Sequence, residues 1–205
     1  MVNLIWKDLV VQKRLLPLYV GIMGFYFFID LSSPAWVAFI MSTTLIMNAF
    51  YYDEKDNINI LLNSLPYTRK QIVSSKYIGA VIFTAVFIVL TMVGTFIVKG
   101  MKLAVSWKEV LQTFGLVMAW LTIMFPFFYK FKQQYLLLGA LVFLIIGISA
   151  FNILVHLFNA RFGKFMEWLA GLTDLQLYSA LALVIVLLYG ASWQLSIRIY
   201  ERKVF

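Results

Sequence analysis

The residues best suited to an interaction lie between Tyr52 and Lys76. Ile58, Leu61, Leu62 and Leu65 recur at i, i+3, i+4 and i+7, which puts four aliphatic side chains on one helical face. Tyr52, Asp53, Glu54 and Asp56 come just before, with the acids at the expected helix start, where the macrodipole favours them. Pro66 stops that helix. Thr68 with Gln71 fits a capping box, so a second helix is expected to open there and run on unbroken, with Arg69, Lys70 and Lys76 at its entrance. The chemistry of such a segment is docking. A fully buried stripe gains roughly 1.5–3 kcal/mol per side chain before association costs are subtracted. That suffices to seat a soluble partner, although the same stripe also fits a helix resting on lipid headgroups or on the protein's own spans.

Catalytic chemistry has no comparable candidates. There is no cysteine, so thiolate catalysis, disulfides and Cys-type metal sites are excluded. His156 is the single histidine, and one imidazole does not make a metal site; a packing or interfacial role is expected for it. The sequence has no phosphate loop of the nucleotide-hydrolysing kind, no serine-hydrolase elbow and no zinc-protease motif. It is therefore expected to have no catalytic residues, no metal site and no bound cofactor. Any ATP and magnesium would sit on a separate partner.

The elements that position the docking segment follow from composition. Hydrophobic residues make up 63% of the 205, charged residues 13%, and the mean hydropathy is +0.90. Soluble domains carry about 25% charged residues. The apolar residues fall in bilayer-length blocks, predicting an all-α integral membrane protein with six transmembrane spans, at about 15–29, 35–50, 77–98, 110–128, 135–157 and 175–197. These blocks take up most of the chain, so one membrane domain over residues 1–205 is expected. Ser33-Pro34, Ser106 with Glu109, and Thr173 with Gln176 read as start signals for the second, fourth and sixth spans. Met1–Arg14 mixes Trp6 and Val10 with Lys7, Asp8, Lys13 and Arg14, as an interfacial helix would, the alternative being the wet start of the first span.

Sidedness comes from lysine and arginine alone. One side holds Lys7, Lys13, Arg14, Lys55, Arg69, Lys70, Lys76, Lys130, Lys132, Arg198, Arg202 and Lys203; the other holds Lys99, Lys102, Lys108, Arg161 and Lys164. The first side is expected to be cytoplasmic, with both termini. The net charge of +8 thus reads as topology, with no nucleic-acid partner. The span middles carry no Asp, Glu, Lys or Arg, which argues against an ion-coupled transporter working alone. A second stripe, Phe162, Phe165, Met166 and Leu169, has the spacing of a short helix in the outer leaflet, with Gly171 as its C-cap.

This order of elements resembles the membrane subunit of bacterial ABC exporters of the type-2 class. The run Tyr52-Asp53-Glu54-Lys55, then Asn63-Ser64-Leu65-Pro66-Tyr67-Thr68-Arg69-Lys70-Gln71-Ile72-Val73, then Ser75-Lys76-Tyr77, is similar to the loop of small permeases in that family. The resemblance implies a permease in the bacterial cell membrane, two copies or two related subunits pairing with two ATPase subunits. It implies that the loop helix is a coupling helix with Ile58, Leu61, Leu62 and Leu65 as apolar contacts. Asp53, Glu54, Arg69 and Lys70 would then be polar contacts or hinge residues. It also implies a pathway between subunits lined by spans 2 and 5, where Thr44, Asn48, Ser149 and Asn152 are the candidates. For each of these four, helix-to-helix hydrogen bonding is the alternative. Exporters of this kind include those that expel amphipathic peptides such as phenol-soluble modulins and antimicrobial peptides, and uncharged, aromatic-rich spans suit such a cargo. A membrane anchor or immunity protein that binds a partner or peptide without transport is the other functional class in view.

Overall fold

A computed structural model describes residues 2–29, 34–55, 64–99, 106–131 and 173–203, with single positions at 146, 149, 153, 163 and 171. Six helices account for nearly all of the continuous segments, and there is no strand among the described residues. They are α1 (Val2–Val11), α2 (Leu16–Ile29), α3 (Pro34–Lys55), α4 (Arg69–Lys99), α5 (Trp107–Lys130) and α6 (Asp174–Glu201).

The starts follow the capping chemistry of the sequence. Thr68 and Gln71 close a reciprocal box: the Thr68 amide donates to Gln71 Oε1 at 3.0 Å, and the Gln71 amide donates to Thr68 Oγ1 at 3.2 Å. α4 then runs unbroken through the third expected span. Thr173 and Gln176 form the same box at the head of α6. Ser106 caps α5 by a single bond from the Lys108 amide at 3.3 Å; the expected box with Glu109 is replaced by this simpler cap. Pro126 lies inside α5, which nevertheless continues to Lys130.

Four of these helices, α3 to α6, are long and apolar enough to cross a membrane. α2 is apolar but only 14 residues long, about 21 Å at 1.5 Å per residue. The fifth expected span, 135–157, and the second stripe at Phe162–Leu169 fall outside the continuously described residues, as does His156. α3 extends past the expected end at Phe50 to Lys55.

α4 is the hub, packed against each of the other five helices. Its buried positions, among them Val73, Tyr77, Ala80, Phe83, Thr84, Phe87, Thr91 and Thr95, recur every three to four residues. The intervening Val81, Ile82, Val86, Val89, Leu90 and Val93 point outward. α6 has a similar apolar exterior, including Leu183, Val186, Leu187 and Leu188. Large exposed aliphatics destabilise a protein in water and are the normal exterior of one in lipid. Buried hydroxyls are satisfied along the helix: Thr84, Thr91 and Thr95 each donate to the carbonyl four residues back, at 2.7, 2.6 and 2.7 Å. α5 and α6 pack most extensively, approaching closely at Gly115, where an added Cβ would meet Ile185 Cδ1 at 3.3 Å.

The bundle has two chemically distinct ends. At one end α1, the start of α4 and the C-terminal turns of α3, α5 and α6 converge. At the other, Lys108 of α5 pairs with Asp174 of α6 at 2.5 Å, both exposed. The first end is capped beneath by aromatic rings: Phe50 sits 5.5 Å from Phe125, 5.0 Å from Phe128 and 5.2 Å from Tyr129. Tyr77 stacks on Trp193 at 5.5 Å and meets Phe125 edge-on at 4.4 Å.

Candidate functional site

The segment expected from the sequence to dock a partner joins α3 to α4, and the structure describes the residues on both sides of it. On the entry side, Asp53 lies in the last turn of α3, not at the head of a new helix. A carboxylate near a helix C-terminus is disfavoured by the macrodipole. Asp53 turns inward instead and meets two cations. Its Oδ1 accepts from Lys7 Nζ at 2.5 Å, and its Oδ2 lies 2.6 Å from Lys76 Nζ. Asp8 on α1 completes the group, its Oδ1 at 2.8 Å from Lys76 Nζ and 3.1 Å from Lys7 Nζ.

Two lysines and two aspartates thus form a neutral tetrad joining α1, α3 and α4. Lys76 is 6% exposed, Asp8 3% and Asp53 5%. The Lys76 ammonium also donates to the Ala49 carbonyl at 3.2 Å and lies 5.2 Å from the centre of the Phe50 ring. Its donors are therefore engaged, and buried charge is tolerated because every sign is matched at contact distance.

On the exit side, Arg69 reaches the end of α6. Its Nη1 donates to the carbonyls of Tyr200 at 3.3 Å, Glu201 at 2.6 Å and Lys203 at 3.0 Å. The last carbonyls of a helix have no intrahelical partner and carry negative partial charge, so a guanidinium is well suited to them. Lys203 in turn donates to the Tyr129 carbonyl at 3.3 Å, tying α6 to α5. A turn deeper, Tyr77 hydroxyl is 2.8 Å from both Ser192 Oγ and Ser196 Oγ, and Ser192 Oγ donates to the Thr122 carbonyl at 2.7 Å. Trp193 Nε1 donates to Ser74 Oγ at 3.0 Å.

Of the residues named from the sequence, Ile58, Leu61 and Leu62 lie outside the described residues. Leu65, just before Pro66, is 42% exposed. Lys70 is exposed, and Glu54 is half-buried beside Asp53. Among the pathway candidates, Asn48 Nδ2 donates to Tyr19 hydroxyl at 2.7 Å, joining α3 to α2. Thr44 is half-buried on α3, Ser149 is helical and exposed, and Asn152 lies outside the described residues.

The sequence pattern marks Lys7, Asp8 and Lys76 only as interfacial, sidedness or helix-entrance charges. Four charges spread over seventy residues of chain carry no local signature of mutual contact.

Among the described residues no group of His, Cys, Asp or Glu is arranged to hold a metal ion. Neither a curated protein nor a solved structure matches the chain. A family model described as ABC-2 family transporter protein matches residues 3–201, nearly the whole sequence. With four helices able to cross a bilayer and that match over its length, the chain belongs to the ABC-2 family of transporter proteins as a multi-pass membrane permease.

Proposed function

We propose that this permease is one half of the membrane part of an ATP-driven exporter, that it works as a homo- or heterodimer, and that the segment between α3 and α4 is where separate ATPase subunits dock. The end bearing α1 and the α6 C-terminus then faces the cytoplasm, because ten of the described lysines and arginines gather there: Lys7, Lys13, Arg14, Arg69, Lys70, Lys76, Lys130, Arg198, Arg202 and Lys203. ABC-2 permeases work with ABC ATPase subunits, and this sequence has no phosphate loop of its own.

The single observation that carries the docking reading is the anchoring of both ends of the segment. Asp53 is fixed to α1 and α4 on entry, and Arg69 is fixed to α6 on exit. A stripe of Ile58, Leu61, Leu62 and Leu65 held between two such anchors can pass force into the bundle. Asp53 and Arg69 then act as hinge anchors, with Glu54 and Lys70 left as the polar contacts. Cargo is drawn from amphipathic peptides or comparable hydrophobic compounds, because the described spans expose apolar and aromatic side chains with no interior charge beyond the tetrad.

The test is the pair Leu61→Asp and Leu65→Asp in a co-expressed complex. Association with the ATPase and stimulated ATP hydrolysis should both be lost. Transport of labelled amphipathic peptides into inside-out vesicles should fall with them; wild-type behaviour of the double variant would remove this reading.

A further inference from the structure

Asp8 is one of only two buried side chains on α1, the other being Leu4. α1 touches α3 and α4, and its polar attachment to them is the tetrad. The tetrad's α3 member, Asp53, stands five residues before the first leucine-stripe position, Ile58. Its α4 member, Lys76, stands seven residues after Arg69, two turns into the exit helix. Any displacement of the segment therefore acts first on Asp53 and on the base of α4. Each holds α1 by its own side chain, Asp53 through Lys7 and Lys76 through Asp8.

We infer that the tetrad makes α1 a moving part of the device rather than a passive helix at its edge. The inference rests on the reading of the segment as the motor contact. The physical reason is directionality. An apolar contact lets a short helix slide over its neighbour at little cost, whereas four matched charges at 2.5 to 3.1 Å hold one register, because any slip leaves a buried charge unpaired. α1 then travels with the ends of α3 and α4 as one body.

The test uses the double variant Lys7→Gln with Asp53→Asn. It removes one cation and one anion and keeps the buried Asp8–Lys76 pair, so the remaining charge stays matched. In nanodiscs, without any partner, amide exchange over α1 should accelerate about tenfold or more, while α5 and α6 keep their protection. Asp53→Glu alone, which keeps the charge, should leave α1 protected. Unchanged exchange of α1 in the double variant would overturn the inference.

A second measurement tests whether α1 and the end of α3 stay one body. Because the chain has no native cysteine, spin labels can be placed on Trp6→Cys and Tyr51→Cys, both at exposed positions. In the assembly with its ATPase, their separation should be the same without nucleotide and with vanadate-trapped nucleotide. In the Lys7→Gln, Asp53→Asn background it should shift or broaden. A change of that distance in the parent protein would overturn the inference even if the exporter reading stands. If the ATPase fails to bind the parent protein, the exporter reading fails, and the inference that depends on it falls as well.

Discussion

Arg69 Nη1 lies 2.6 Å from the carbonyl oxygen of Glu201, a residue 132 positions later in the chain. One side chain at the foot of α4 thus finishes the last turn of α6. Arg69→Ala should leave those carbonyls to water and fray α6 from Tyr200 onward. Hydrogen bonds from a charged donor contribute about 1.5–3 kcal/mol when well placed, and solvent access at this end puts the net loss at the lower part of that range. Hydrogen exchange confined to the end of α6 is the measurement, and Arg69→Lys should recover only part of the protection because an ammonium lacks the guanidinium's reach.

Lys76→Met should be the most damaging single change at this end. It leaves the carboxylates of Asp8 and Asp53 buried with Lys7 as their only cation. Breaking a buried pair on one side costs roughly 3–5 kcal/mol. Adding Asp53→Asn should restore part of the loss, since Asp8 then keeps Lys7 at 3.1 Å. Thermal melts of purified protein in one detergent, single against double variant, decide this.

Tyr77→Phe keeps the ring in its cluster with Phe125 and Trp193 and removes only the hydroxyl shared by Ser192 and Ser196. Hydrogen bonds between membrane helices average about 0.6 kcal/mol and reach about 1.7. The expected loss is of that order per bond, and Ser196→Ala should reproduce much of it. A double-mutant cycle between Tyr77→Phe and Ser196→Ala should yield a coupling of similar size.

Asn48 distinguishes a pathway residue from a structural one. Its amide bonds Tyr19 across α2 and α3. Asn48→Leu and Tyr19→Phe should each destabilise the protein by about 0.6 kcal/mol and be strongly coupled in the double variant, with peptide selectivity unchanged. A shift in selectivity without coupling to Tyr19 would instead place Asn48 on the route taken by cargo.

Much of the scaffold was legible because its signals are local. Thr68 with Gln71 and Thr173 with Gln176 are boxes written in four residues each, and both form. The apolar blocks set α3 to α6 because hydropathy over a bilayer length needs no tertiary knowledge. The ends of the helices were harder. α3 outruns Phe50 because Asp53, polar in sequence, is paid for by lysines from two other helices, information that no window of neighbouring residues contains. Arg69, expected as a polar contact or hinge residue, gives no sign of its anchoring in the sequence for the same reason: its partners are carbonyls at the far end of the chain, and backbone groups leave no trace in a sequence.

α4 has 31 residues without a break, which at 1.5 Å per residue makes a rod about 46 Å long. A bilayer's hydrocarbon is about 30 Å thick. Set along the bilayer normal, the rod has roughly three turns to spare beyond the oil, like the shaft of an oar beyond its rowlock, and Arg69 and Lys76 both lie near its first end. On the proposed docking reading, a small push on such a handle would be delivered along the whole shaft, so that the far leaflet feels an event at the near surface without any intervening joint having to bend.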